Sequence, residues 1–415
     1  MVAQHLHERQ YLCRAILAAF PHWQIPMATG IAARMADIEP FHVMEILARA
    51  KELEAAGKPV IHMEIGEPDF STPPPILNAG IAAIAKGDMH YTPAAGLPVL
   101  REAIAGFYRT RYGVTVDPAR IIVTPGASGA LLLALGVLVS PGDEVVLADP
   151  GYPCNRHFVR LFEGRAINVP VGPETHYQLN AALVDAHWRA PTMAALVSTP
   201  ANPTGTLVSE AEMADIARVV AGKAGQLIVD EIYHGLTYGE DAATALAVAP
   251  DAFIVNSFSK YFQMTGWRLG WLVAPERHAR EAEKLAQNIF LAPSTPAQYA
   301  ALAAFAPATI AILETRRSEF EARRDFLLPA LREIGFRIPV TPAGAFYLYA
   351  DCSAFTSDSF VFAKSLLETA FVAITPGVDF GSHAAEKHVR FAYTTSIERL
   401  REAVQRIARF VGRSG

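Results

Sequence analysis

Between Ile121 and Val273 six short apolar runs alternate with helical patterns, and this alternation restricts the fold more than any other property of the chain. The runs are Ile121-Ile122-Val123-Thr124, Val145-Val146-Leu147-Ala148, Ala195-Leu196-Val197-Ser198, Leu227-Ile228-Val229, Phe253-Ile254-Val255 and Trp271-Leu272-Val273. Each is rich in β-branched or aromatic residues and bounded by turn formers, the pattern of strands buried on both faces. Helical segments at 130–138 and 210–221 separate several of them. The order predicts an α/β fold with a mostly parallel sheet flanked by helices. Open sheets of this type bind ligands beyond the carboxyl ends of their strands. Polar residues just after each run are therefore the first candidates for a site. They are Gly126, Ala127 and Ser128, then Asp149 and Tyr152, then Asn202, Asp230, and the stretch Ser257-Phe258-Ser259-Lys260.

Outside this block, residues 37–56 read as a helix, with Ile38, Phe41, Met44, Ile46 and Leu47 as its apolar positions. After Pro293, helical patterns at 314–331 and 360–371 flank a strand-like Phe346-Tyr347-Leu348-Tyr349. A further strand-like run covers 389–393, and 397–411 reads as a closing helix. The expected organisation is a large central domain (66–300) and a smaller α/β domain drawn from both chain ends (part of 1–65, with an N-terminal arm, and 301–415).

Composition narrows the classes of function. Hydrophobic residues make up 51% and charged residues 19%, enough to bury a large core and unlike a disordered chain. A net charge of −5 gives no general attraction to nucleic acid or anionic lipid. Three cysteines, Cys13, Cys154 and Cys352, are odd in number and widely spaced, so a disulfide framework is not expected and a reducing cytoplasm is the default. The longest apolar run, 131–139, falls short of the ~20 residues that span a bilayer, and no membrane span is expected. Arg14 ahead of the apolar 15–20 stretch faintly imitates a signal peptide, but its acidic, histidine-bearing start argues for an arm, or for Met27 as the true start. His5 and His7 lack a third ligand at recognisable spacing and read as solvated; no metal is expected.

The sharpest stretch is Ser257-Phe258-Ser259-Lys260 with Met264-Thr265-Gly266-Trp267-Arg268-Leu269-Gly270. A lysine after a buried strand, with an arginine eight positions on, suits one task well: the amine joins an aldehyde cofactor while the guanidinium grips its phosphate. Burial and a neighbouring cation both favour the neutral amine that attack requires. Taken singly, Lys260 reads equally as a solvated loop lysine and Arg268 as an ion-pair partner. Asp230 ends a buried run, and a carboxylate there would keep a pyridine nitrogen protonated, the service that pyridoxal phosphate needs. Tyr233 and Asn202 would donate to the ring's phenolic oxygen. The ordinary alternatives are a helix N-cap for Asp230-Glu231 and turn initiation for Asn202-Pro203. Gly126-Ala127-Ser128 opens a helix, so backbone N–H groups and the helix dipole would face an anion. The run lacks the ending of a nucleotide P-loop and the Gly-x-Ser-x-Gly of hydrolases, since position 130 is Ala. Tyr152 could stack on the cofactor ring, or belong to the core.

These pieces together resemble the class I/II aminotransferase family of fold-type I pyridoxal-phosphate enzymes, over nearly the whole chain from about Ala28. The lysine stretch carries the resemblance with Ile65-Gly66-Glu67-Pro68-Asp69-Phe70, Tyr91-Thr92-Pro93-Ala94-Ala95-Gly96-Leu97, Asn202-Pro203-Thr204-Gly205, Asp230-Glu231-Ile232-Tyr233 and Val389-Arg390-Phe391. It implies pyridoxal 5'-phosphate held covalently by Lys260, with Asp230 at the ring nitrogen and Asn202 and Tyr233 at the phenolic oxygen. It implies Ala127, Ser128, Ser257 and Arg268 at the phosphate. Tyr91 would reach the phosphate of a neighbouring subunit, so a homodimer with shared sites is implied. Gly66 and Arg390, assisted by Asn202, are similar to the residues that bind a substrate α-carboxylate. The implied activity is transfer of an amino group from an L-amino acid to a 2-oxo acid, by family habit 2-oxoglutarate.

One departure bears on substrate. No Lys or Arg occurs between Ile121 and Asn155, where some aspartate-type members place a basic residue; Arg34 or another loop is left as a substitute. The same constellation also supports β-elimination of sulfur amino acids or decarboxylation. Aminotransferase-like regulators are a further alternative, disfavoured because only about thirty residues precede the matching region, without a helix-turn-helix pattern or basic stripe.

Overall fold

All six apolar runs are strands of a single seven-stranded sheet. The structure, a computed structural model, describes residues 30–412. Among them are eleven strands: β1 (Ile61–Met63), β2 (Ile121–Thr124), β3 (Glu144–Asp149), β4 (Arg165–Pro170), β5 (Thr192–Ser198), β6 (Gln226–Asp230), β7 (Phe253–Ser257), β8 (Gly270–Val273), β9 (Tyr347–Asp351), β10 (Val372–Pro376) and β11 (His388–Ala392). The larger sheet runs β2-β8-β7-β6-β5-β3-β4. Pairing is parallel from β4 through β3, β5 and β6 to β7, while β8 lies antiparallel to both β7 and β2. The carboxyl ends of β2, β3, β5, β6 and β7 therefore share one edge of the sheet.

Side chains along these strands alternate between two cores, as the two-residue period of a strand requires. Val146, Val197 and Val229 pack into one cluster, and Val145, Leu196 and Ile228 into the other. The helix Gly126–Leu138 belongs to the second cluster and buries Ala127, Ala130, Leu131, Leu133, Ala134 and Leu135. A helix apolar on nearly all sides has no choice but to sit inside.

The second sheet has four strands in the order β1-β10-β11-β9. β1 pairs parallel with β10 from Ile61 opposite Val372 to Met63 opposite Ile374. β10, β11 and β9 pair antiparallel, so residues more than 300 positions apart share a sheet. β1, β10 and the edge strand β4 were not visible as strands in the sequence pattern. The last of these exposes Arg165, Asn168 and Pro170, a composition that only an edge tolerates.

The helix expected over residues 37–56 is shorter, His42–Ala55. Its entry is set by tertiary structure: Phe41 offers no capping side chain, and the main-chain N–H groups of His42 and Val43 donate instead to Asp379 Oδ1 and Oδ2, each at 2.8 Å. A helix end whose donors are satisfied from across the chain leaves no local start signal. Beyond it, the helices Pro307–Ile334, Ser359–Ala370 and Ile397–Phe410 cover the expected positions.

The described residues divide into two compact units, 30–39 and 40–412. The first carries a short 3-10 turn, Ala33–Asp37. His5, His7, Cys13, Arg14 and Met27 lie outside the described residues. Cys154 and Cys352 are free thiols. Among the described residues no single helix is long and apolar enough to cross a membrane, and no cluster of three or more His, Cys, Asp or Glu side chains is placed to hold a metal ion.

Candidate active site

The strand ends converge on a cavity of about 280 Å³. Lys260, Asp230, Tyr233, Ala127, Ser128, Tyr152, Asn202, Arg268, Gly66 and Arg390 all line it. Ten of the residues picked out from sequence are thus brought together, although they span more than 300 positions of the chain.

One end of the cavity is built for an anion. The first N–H groups of the helix Gly126–Leu138 have no intrahelical acceptor and carry the positive end of its dipole. Gly126 adopts φ +68°, and a Cβ there would lie 2.6 Å from Arg268 Nη2, so glycine is needed for the guanidinium to come this close. Arg268 itself takes a left-handed conformation (φ +53°) and donates through Nη1 to Thr265 O at 3.0 Å. Its partner here is a neutral carbonyl, which leaves its charge for the anion. Ser259 and Thr265 line the same end. Ser257 stands one step behind: it is buried, and its hydroxyl donates to Leu269 O at 3.0 Å and shares a 2.9 Å hydrogen bond with the Ser259 hydroxyl.

Lys260 follows β7 and donates through Nζ to Gly66 O at 2.6 Å. Burial pushes its pKa down to about 8; Glu67 opposes this, while Arg390 and Arg268 add to it. The amine is therefore far easier to deprotonate than an ordinary lysine. Asp230, at the end of β6, is buried and accepts from the Ile232 N–H at 3.0 Å. Burial raises its pKa to about 6, against the lowering effects of that N–H and of Lys260. A buried carboxylate held this high wants a cation beside it, and a protonated ring nitrogen supplies one. The anion cup, the softened amine and the buried carboxylate together fit a phosphorylated pyridine aldehyde.

The other end holds Arg390, on β11. It is buried, with its guanidinium carbon 4.3 Å from the Tyr347 ring centroid and 4.9 Å from that of Phe380. Nη1 donates to Asn202 Oδ1 at 2.9 Å, and Nη2 to Glu64 O at 2.5 Å and Thr375 Oγ1 at 3.1 Å. All three acceptors are neutral, and Nε is buried without a partner. A buried cation held rigidly by neutral groups is a receptor for an anion. Tyr347 also meets Tyr233 across a 2.7 Å hydroxyl–hydroxyl hydrogen bond, and a Cβ at Gly66 would collide with the Tyr347 hydroxyl.

Of the remaining sequence candidates, Gly126 contacts the cup from behind, and Tyr91 lies away from the cavity with 82% of its surface exposed. Residues that the sequence reading passed over include Tyr347, Thr375, Glu64, Asp379 and Phe380. Tyr347 was within a recognised strand pattern, but its facing was unknown. Asp379 gave no signal at all, because its partners are main-chain groups 336 and 337 positions away.

Residues 58–407 match the family model for aminotransferase class I and II. The chain belongs to the class I and II aminotransferases. It is 38% identical over 381 residues to a valine–pyruvate aminotransferase of Mycobacterium tuberculosis, covering 91% of this chain and 98% of that protein. It is also 36% identical to an aspartate/prephenate aminotransferase of Thermus thermophilus, over 93% of this chain and all of the other. Among solved structures, an aminotransferase from M. tuberculosis superimposes with a TM-score of 0.89 (38% identity, 92% of this chain and 98% of that one). T. thermophilus aspartate aminotransferase with maleate gives 0.86 (35% identity, 91% and 99%). The fold is that of the fold-type I aminotransferases, and the cofactor of this aminotransferase family is pyridoxal 5'-phosphate.

Proposed function

We propose that this aminotransferase carries an amino group from an L-amino acid to a 2-oxo acid in two half-reactions of a ping-pong cycle, using the cavity residues described above. The observation that carries the reading is the pairing, in one cavity, of the softened amine of Lys260 with a buried guanidinium, Arg390, whose acceptors are all neutral. Bound pyridoxal phosphate supplies an aldehyde and an electron-withdrawing ring. Lys260 is the residue to anchor it, Asp230 to hold its ring nitrogen protonated, and Tyr233 and Asn202 to donate to its phenolic oxygen. Tyr152, which lines the cavity, would stack on its ring. The N–H groups of Ala127 and Ser128, with Gly126 giving Arg268 room and Ser257 bracing Ser259, hold its phosphate.

For the substrate, Arg390 clamps the α-carboxylate, with Gly66 and Asn202 beside it. Lys260 Nζ, neutral for part of the time near pH 8, takes the proton from the substrate's Cα and later returns one. A positioned base of this kind contributes ~10²–10⁴-fold. Asp230 remains an anion beside a cation, which burial alone would not permit. Tyr347 keeps Tyr233 oriented through their shared hydrogen bond.

The proposal extends to a cytoplasmic homodimer with Tyr91 reaching into the neighbouring site. Two features support it: the high exposure of Tyr91, and an apolar stripe on the helix Pro74–Lys86, where Leu77, Ile81 and Ile84 are 44%, 57% and 59% exposed. It also keeps the division into a large domain (66–300) and a small one from residues within 1–65 and 301–415, which supplies Arg390. The acceptor is left between the 2-oxoglutarate that the family resemblance implies and the pyruvate in the name of the mycobacterial relative. The two differ by a second carboxylate.

Lys260→Ala tests the core of the reading. Turnover and the aldehyde-linked absorbance are expected to vanish, and borohydride followed by peptide mapping is expected to tag Lys260 in the wild type. Full activity in the variant, or a tag elsewhere, would overturn it.

A further inference from the structure

Asp379 is buried and lines the cavity. Its two oxygens accept the N–H groups of His42 and Val43 at the start of the helix His42–Ala55, each at 2.8 Å. Burial raises its pKa, against the lowering effects of these two N–H groups and of the nearby His42 and Arg390. Its main-chain oxygen accepts from Arg156 Nη2 at 2.9 Å. The capped first turn presents Phe41, Val43 and Met44 to the cavity, and Ile65 and Phe380 line it as well. Phe380 is also one of the two rings against Arg390.

Among the described residues the cations lining the cavity are Lys260, Arg268 and Arg390. In the reading above, the first two face the cofactor and the third takes the α-carboxylate. Arg156, next in line, does not line the cavity and already donates to Asp379. The acidic side chains lining it are Glu64, Asp230 and Asp379, so a second carboxylate on the substrate would meet no spare cation and would lie beside Asp379. An apolar side chain would meet five apolar residues.

We infer that Asp379 is a specificity-determining residue, which fixes the apolar first turn as the wall of the side-chain subsite and bars dicarboxylic substrates, so that the enzyme takes amino and 2-oxo acids with one carboxylate and an apolar side chain. This inference rests on the aminotransferase reading, with Arg390 as the α-carboxylate clamp. Juxtaposing like charges in a buried site costs several kcal/mol, so discrimination of at least ~100-fold is expected.

The test uses the wild-type holoenzyme in the first half-reaction, followed as loss of the aldehyde form's absorbance with L-valine, L-leucine, L-aspartate and L-glutamate. The expected result is kcat/KM at least ~100-fold higher for the apolar pair. Calorimetric binding of 3-methylbutanoate against succinate gives a readout independent of turnover, with the monocarboxylate expected to bind at least ~10-fold tighter. Equal rates and equal affinities would overturn the inference while leaving aminotransfer intact; no conversion of any amino acid would overturn the underlying reading as well. In D379N the valine-to-aspartate ratio is expected to fall ~10-fold or more. Equal losses on both substrates, with the ratio unmoved, would show a helix cap only and overturn it. Should D379N fail to fold, M44K sets an ammonium in the same wall; a gain in kcat/KM for L-aspartate supports the inference, and no gain overturns it.

Discussion

Replacing Arg390 by alanine removes a buried cation whose hydrogen-bond acceptors are all neutral, and the structure sets the scale of the loss. Its side chain is fixed by three hydrogen bonds and two aromatic faces, so little ordering remains to be done when a carboxylate arrives. Losing one partner of a desolvated, hydrogen-bonded charge pair costs about 2–5 kcal/mol, or roughly 30- to 5,000-fold in kcat/KM. Most of this should appear in KM, because the contact exists before and during chemistry. Arg390→Lys keeps the charge but not the planar fork, and is expected to recover only part of the loss. The assay is the single-turnover half-reaction with L-valine, run beside 2-methylpropan-1-amine, the same skeleton without its carboxylate. The variant should slow the amino acid and leave the slow rate of the amine nearly unchanged. If both substrates slow equally while the circular-dichroism melt is unaltered, the reasoning about Arg390 is wrong. Wild-type kcat/KM for the amino acid would refute it equally.

Two further outcomes follow from the geometry. Gly66→Ala places a methyl group against the Tyr347 hydroxyl, and overpacking of this kind costs ~1–3 kcal/mol; chemical denaturation should show that loss, with kcat/KM falling because Tyr347 and Tyr233 are displaced together. His62 sits between Glu64 Oε1 at 2.7 Å and Glu54 Oε1 at 3.1 Å, and the Glu64 hydrogen bond, first among the causes, raises its pKa to about 9. A histidine raised on folding stabilises fully below its unfolded pKa of about 6.5 and loses that contribution as pH rises through the folded value. The melting temperature of wild type minus His62→Gln should therefore be greatest near pH 6 and close to zero by about pH 10; a difference that grows with pH would contradict the assignment.

The parts of this molecule that could be seen in its sequence are those whose signal is local. β5, β6 and β7 are buried on both faces, so Val197, Ile228 and Ile254 stand in continuous apolar runs that need no partner to be recognised. Lys260 and Asp230 are found the same way, as polar residues at the ends of such runs. β1, with three residues, and β10, which follows directly on a helix, have no comparable run, and their pairing is fixed only when the two chain ends meet. The start of the helix His42–Ala55 leaves no local signal for a related reason: its cap is Asp379, more than 330 positions away. Tyr347 and Arg390 lay in strand patterns that predicted position but not facing. Alternation along a strand says which residues share a side and leaves open which side looks at the cavity.

The clustering of roles along the chain has a temporal meaning. Every residue proposed for the cofactor, apart from Tyr91, falls between Gly126 and Arg268, whereas Asp379 and Arg390 come from the last tenth of the polypeptide and bind the main chain of His42 and Glu64 near its beginning. On the proposed assignment, a nascent chain emerging from the ribosome would thus complete the cradle for vitamin B6 well before it has the residues that choose among substrates.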